Sequence, residues 1–176
     1  SDVCSSDLTE EDYSAAIYSK EDLIINGNGT LNVNAGYRNG IKSTDDCIIV
    51  SGTLNITSTE DGIIGKDLCG IVAGDININA GSDGIKSTYD TDTTKGNVII
   101  EGGNITIKAS NDGIQAENIL VINDGTINIK TNNGAADTTQ THTDNMYMGR
   151  GGFGFNNNKT TTTTDDTAES RKGIKA

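Results

Sequence analysis

The chain has 176 residues, 22 of them glycine, with no proline or tryptophan and a net charge of −12. That charge, spread along the whole length, argues against nucleic acid and anionic membranes as partners, and no apolar run is long enough to span a bilayer. Aromatics make up only 4%, yet short and regularly placed runs of Ile, Val and Leu set the sequence apart from a disordered one.

In chain order, residues 1–8 fit no pattern that follows and resemble the translation of a sequencing-library adapter, so they are set aside as non-native. Residues 9–133 carry a repeat. Glycine recurs inside one phrase, Asn39-Gly40-Ile41-Lys42, Asp61-Gly62-Ile63, Asp83-Gly84-Ile85-Lys86 and Asp112-Gly113-Ile114-Gln115. Gly40, Gly62 and Gly84 are 22 residues apart, and Gly113 follows after 29. A fixed period in this range signals stacked units, because one unit cannot bury its apolar face without a neighbour.

The second half of each unit is as regular as the first. Gly29-Thr30-Leu31-Asn32-Val33 is echoed at Gly52, Gly74, Gly103 and Gly125. Apolar and polar residues alternate with period two, the pattern of a strand with one buried face. A shorter strand precedes each of the later glycines: Cys47-Ile48-Ile49, Cys69-Gly70-Ile71, Val98-Ile99-Ile100 and Leu120-Val121-Ile122. Alignment gives three inward columns: Cys47, Cys69, Val98 and Leu120; Ile49, Ile71, Ile100 and Ile122; Ile41, Ile63, Ile85 and Ile114. Three short strands per 22 residues predict an all-β chain, a right-handed single-stranded parallel β-helix (solenoid). Roughly five coils would stack about 4.8 Å apart. A sandwich or an open sheet predicts no columns of one residue type at constant period.

Two insertions leave this prism. Thr88 to Lys95 lengthens one coil, and residues 134–171 form a long Gly/Thr/Asn-rich loop holding Met146, Tyr147, Met148, Phe153 and Phe155. Residues 172–176 reopen the phrase as Lys172-Gly173-Ile174-Lys175, so the sequence reads as a solenoid truncated at both ends.

On the Asp-Gly-Ile phrases at residues 61–63, 83–85 and 112–114, and on the Gly-x-Ile/Leu-x-Ile/Val strands of five successive coils, the chain resembles a family of secreted carbohydrate-binding β-helix proteins of anaerobic Gram-positive bacteria. The resemblance implies a pectate-lyase-like fold and calcium binding. It also implies recognition of acidic polysaccharides and cellulose without catalysis, at an extracellular or cell-surface location. The match departs from the family pattern at Asn39, Asn133 and Lys172, where the aspartate is replaced.

The residues themselves point to two candidate sites. Asp61, Asp83 and Asp112 occupy one place in three consecutive coils, each preceded by another oxygen donor, Glu60, Ser82 or Asn111. Carboxylates about 5 Å apart repel by several kcal/mol at an effective dielectric near 20. A Ca²⁺ ion, which takes hard oxygen ligands, would neutralise them. The competing reading is turn chemistry alone, with Asp capping a turn that Gly completes at positive φ. Lys42 and Lys86 lie on the same face as these aspartates, and Lys108 and Lys130 stack after the last strand of two coils. All four are candidates to hold sugar carboxylates, or are solvated surface charges. Tyr147, Phe153 and Phe155 are the candidates for stacking on neutral glucan. Cys47 and Cys69 face inward as free thiols in preference to a bridge, because in-register neighbours aim their Cβ atoms alike.

Catalysis finds little support. The single histidine, His142, lies in the long loop, and of the arginines only Arg38 stands among the coils, beside Asn39. Acid pairs such as Asp45/Asp46 and Asp90/Asp92 are plentiful, but nothing singles one out for paired-carboxylate chemistry. The sequence therefore reads as a non-catalytic, calcium-stabilised polysaccharide-binding module favouring uronates. A structural or adhesive surface solenoid is the alternative, and a polysaccharide lyase stands third.

Overall fold

The computed structural model describes residues 14–131 and 173–176, and every regular element among them is a strand. The first turn consists of β1 (Ala15–Ser19), β2 (Leu23–Ile25) and β3 (Thr30–Ala35). The second has β4 (Asn39–Ser43), β5 (Asp46–Ile49) and β6 (Thr53–Ser58). The third has β7 (Ile63–Gly65), β8 (Leu68–Ile71) and β9 (Asp75–Ala80). The fourth has β10 (Ile85–Ser87), β11 (Asn97–Ile100) and β12 (Asn104–Ala109). The fifth has β13 (Ile114–Gln115), β14 (Leu120–Ile122) and β15 (Thr126–Thr131), and β16 (Ile174–Lys175) continues beyond it.

Each strand pairs in parallel with its counterpart one turn away. Sheet A runs β1-β4-β7-β10-β13-β16, sheet B runs β2-β5-β8-β11-β14, and sheet C runs β3-β6-β9-β12-β15. The result is a β-solenoid of about five turns with about 23 residues per turn, as the repeat predicts. Its register reproduces the expected columns: Ile41↔Ile63, Ile63↔Ile85 and Ile85↔Ile114 in sheet A, and Cys47↔Cys69, Cys69↔Val98 and Val98↔Leu120 in sheet B.

The core fills the axis of this prism. Ile41, Ile63, Ile85 and Ile114 are wholly buried, as are Ile49, Ile71, Ile100, Ile76 and Ile105 from the other two walls. Full burial of such a side chain contributes about 2 kcal/mol, so the columns drive the stacking. Ile122 belongs to the inward column, yet it is 41% exposed because it lies in the last turn of sheet B. Cys47 and Cys69 are buried free thiols, as expected. Burial pushes the Cys47 thiol up to about 12, so it behaves as a small apolar residue.

Glycine serves two purposes here, and the expected one falls in an unexpected place. Positive φ recurs at the glycines that enter sheet C, Gly52 (113°), Gly74 (117°), Gly103 (102°) and Gly125 (113°), and occurs also at Gly96 (73°) before β11. The Asp-Gly-Ile glycines lie outside that region and are needed for close approach instead. A Cβ on Gly62 would stand 2.5 Å from the Gly84 carbonyl oxygen and 2.5 Å from Ile78 Cγ2.

The insertion at residues 88–95 leaves the prism as predicted but is pinned to it. The Asn118 side-chain amide donates to the carbonyls of Tyr89 and Asp92, each at 3.2 Å. Lys95 reaches from the insertion to pair with Asp67.

Candidate functional site

The Asp-Gly-Ile phrases stack at the corner where sheet C hands over to sheet A. Asn39, Asp61, Asp83 and Asp112 form one column joined by hydrogen bonds. Asn39 Oδ1 accepts the backbone N–H of Asp61 at 3.0 Å, Asp61 Oδ1 accepts that of Asp83 at 2.9 Å, and Asp83 Oδ1 accepts that of Asp112 at 2.8 Å. The ladder satisfies backbone groups that the corner takes out of the sheets, as buried polar groups require. Asp83 is wholly buried and Asp112 nearly so. Asn39, a departure from the repeat in sequence, is a full member of the ladder.

The second oxygen of Asp83 has its own partner. Lys86 Nζ lies 2.7 Å from Asp83 Oδ2, with the lysine side chain 24% exposed. Burial opposes the ammonium's charge, but the Asp83 hydrogen bond and the fields of Asp61, Asp83 and Asp112 outweigh it, so the Lys86 pKa is raised. Glu60, Ser82 and Asn111 stack beside the column through backbone bonds, Ser82 N–H to Glu60 O at 3.1 Å and Asn111 N–H to Ser82 O at 3.0 Å. Glu60 is exposed, and Ser82 and Asn111 are half-buried. As a calcium shell the column fits poorly, since both oxygens of Asp83 are already engaged and an ion would have to displace Lys86.

A different set of carboxylates converges. Among the described residues, one oxygen each from Asp22, Asp45 and Asp46 lies within 4.8 Å of the others, at the corner between sheets A and B. Asp67 adjoins them, and its hydrogen bond to Asp45 is the first cause of a raised Asp45 pKa, ahead of desolvation and the charges of Asp67, Asp22 and Asp46. Desolvation first, then Asp22 and Asp67, raises Asp46 in the same direction. Sequence reasoning passed over this cluster because it treated Asp45 and Asp46 as an isolated adjacent pair. The available signal was the recurrence of acid at Asp22, Asp46 and Asp67 in successive turns.

The three outer walls differ in chemistry. Sheet A presents Tyr18, Lys42, Ile64, Lys86 and Gln115 in one register column. Lys42 Nζ lies 5.9 Å from the Tyr18 ring centroid, while Lys86 turns to Asp83. These two lysines therefore share a wall but are separated by Ile64. Sheet B presents Ile24, Ile48, Gly70, Ile99 and Val121, an aliphatic column without donors or acceptors. Sheet C presents amides and hydroxyls. Asn55 donates to Asn32 Oδ1 at 2.8 Å, and Asn77 donates to Asn55 Oδ1 at 3.1 Å.

Across β6, β9 and β12 this wall carries a shallow groove of about 220 Å³. Asn55, Thr57, Asn77, Asn79, Thr106 and Lys108 line it. Lys108 and Lys130 are direct register partners on β12 and β15, both exposed, as their spacing predicts. Neither has an ion-pair partner among the described residues. Of the sequence's candidates, then, Lys86 joins the aspartate column, Lys108 and Lys130 join each other on sheet C, and Lys42 stands apart. Tyr147, Phe153 and Phe155 lie outside the described residues, as do Asn133 and Lys172.

Comparison with known proteins gives this geometry a family. A curated relative from Acetivibrio thermocellus, described as a carbohydrate-binding domain-containing protein, is 45% identical over 42 residues, which is 24% of this chain and 15% of that protein. A solved structure described as a polysaccharide lyase-like protein from C. thermocellum, a gadolinium derivative, superposes with a TM-score of 0.60 at 32% identity. That similarity covers 72% of this chain and 55% of the other, so the chain spans about half the length of the solved structure. The family model of the carbohydrate-binding domain-containing proteins matches residues 2–176, and the chain belongs to that family.

Proposed function

We propose that this chain is a non-catalytic polysaccharide-binding module, working outside the cell, whose sugar-facing surface is the outer wall of sheet C and whose preferred ligand is an acidic, uronate-bearing polymer. The observation that carries the reading is the groove across three turns of that wall, opening beside the stacked pair Lys108 and Lys130. Its amides and hydroxyls repeat at the strand spacing of about 4.8 Å, supplying donors and acceptors for sugar hydroxyls. Like charges directly opposite each other in a ladder destabilise it, and a carboxylate between the two ammonium groups would relieve that repulsion. The chain's net charge of −12 works against a polyanion at long range. Screening over roughly 8 Å at physiological salt leaves the local lysines to decide.

The test is affinity electrophoresis or calorimetry with polygalacturonate and with cellulose, for the wild type and for Lys108→Glu/Lys130→Glu. The double variant is expected to lose at least tenfold in affinity for polygalacturonate, with no unsaturated product formed by either protein. Unchanged binding in the double variant would remove sheet C from consideration, and accumulation of unsaturated product would make the chain a lyase.

A further inference from the structure

We infer that the cation serving the Asp61–Asp83–Asp112 column is the ammonium of Lys86, and that this column is not a calcium site. The hydrogen-bond ladder does not by itself explain why aspartate stands there. Asn39 fills the same place one turn earlier, and its amide oxygen accepts the next backbone N–H at 3.0 Å, as the carboxylates of Asp61 and Asp83 do at 2.9 and 2.8 Å. A neutral oxygen is therefore enough for the backbone, and the negative charge needs a separate partner.

Lys86 supplies it. Its Nζ lies 2.7 Å from Asp83 Oδ2, while Asp83 is wholly buried, so both oxygens of that carboxylate are committed within the chain. The lysine belongs to the middle one of the three aspartate turns. Its register partners in the flanking turns are Ile64 and Gln115, which bring no charge. One ammonium thus stands in the fields of all three carboxylates, the same fields that raise its pKa against burial. A Ca²⁺ ion needs six to eight oxygen ligands. To enter here it would have to expel a half-buried, hydrogen-bonded ammonium and also find further oxygens. Removing one member of a buried ion pair is costly because it strands the other. The wall beside sheet A therefore keeps its integrity without metal, and sugar binding on sheet C does not pass through calcium in this column.

Thermal unfolding in EDTA and in millimolar Ca²⁺ separates the possibilities, using the wild type, Asp83→Asn, Lys86→Met and the double variant. Asp83→Asn keeps an oxygen for the ladder, as Asn39 does, and should lower Tm by the same amount in both buffers. Lys86→Met removes the charge and keeps the apolar stem. It should lower Tm in EDTA and recover part of the loss in Ca²⁺, a recovery that the double variant should lack. The inference is overturned if a calcium-dependent rise in wild-type Tm disappears in Asp83→Asn. It is equally overturned if Lys86→Met melts with the wild type in EDTA.

Discussion

Two groups of aspartates ride on two corners of the same turns, in opposite circumstances. At the corner between sheets C and A, Asp83 and Asp112 are buried, and the Asp61 and Asp83 carboxylates each accept a backbone N–H from the next turn. At the corner between sheets A and B, Asp22 is exposed and Asp45 and Asp46 are half-buried, with oxygens within 4.8 Å of one another. The hydrogen bond with Asp67 and then desolvation raise the pKa of Asp45, desolvation raises that of Asp46, and the neighbouring carboxylates add to both. The first group is held by donors that the fold supplies, and the second, apart from the Asp46 N–H donated to Asp22 at 3.3 Å, is held together against its own charge. Lys95, reaching in from the insertion to Asp67, offsets part of that charge. Position in the turn, and not residue type, decides whether a carboxylate stabilises this solenoid or loads it.

Asp83→Ala should produce the largest break in this contrast. It leaves the Asp112 N–H without its acceptor and Lys86 without its partner, a loss of about 3 kcal/mol measured by urea unfolding. Asp83→Asn retains the ladder oxygen and should lose about 1–2 kcal/mol. Equal losses in the two variants would show that the ladder bond contributes nothing.

A smaller effect is expected at the other corner. Lys95→Met removes the ammonium that pairs with Asp67 and should lower Tm, and the fall should shrink in high salt, because surface charges are screened. A fall in Tm independent of salt would assign the role of Lys95 to packing of its stem against Tyr89, over whose ring it lies at 5.1 Å.

The smallest effect is a gain. Asp46→Asn relieves the desolvation of a charge and, after it, like-charge repulsion, and should raise Tm slightly at neutral pH. The sign follows from linkage: a carboxyl whose folded pKa is raised above the ordinary 3.8 costs stability above that window and is relieved as pH falls through it. The advantage of Asp46→Asn over the wild type should therefore fade on acidification toward pH 4. An advantage that persists below pH 3.8 would mean that charge is not its source.

Much of this contrast was hidden in the sequence. The phrase Asp-Gly-Ile marked the buried column at once, because an aspartate recurring with glycine at constant period must stack. It also put Lys86 on the right face. Contact between Lys86 and Asp83 depends on the side chain bending back over three residues, and Lys42 at the equivalent place turns to Tyr18 instead. The acidic cluster escaped because Asp22, Asp45 and Asp46 are not all equivalent in register. Asp45 joins the others only through the shape of the corner. Two tyrosines are also placed by the fold: the Tyr18 ring lies under Lys42, and the Tyr89 ring is approached by Lys66 and Lys95, each at 5.1 Å.

By itself the sequence determined the solenoid, its three walls and the residues that fill its axis. Period-two alternation fixes which side chains point inward, and the 22-residue period fixes which of them meet, so neither depends on knowing the corners. It likewise put Lys108 beside Lys130, since register alone decides that contact. The tertiary structure decided what each corner does with its polar groups. There the chain leaves the regular lattice, and side-chain direction follows from local backbone geometry that no period encodes. Hence positive φ recurs at the glycines entering sheet C, while the Asp-Gly-Ile glycines serve close packing. Hence also one set of aspartates is satisfied by backbone N–H groups and Lys86, and the other has one backbone N–H at Asp22 and the Lys95 ammonium at Asp67 against several converging carboxylates.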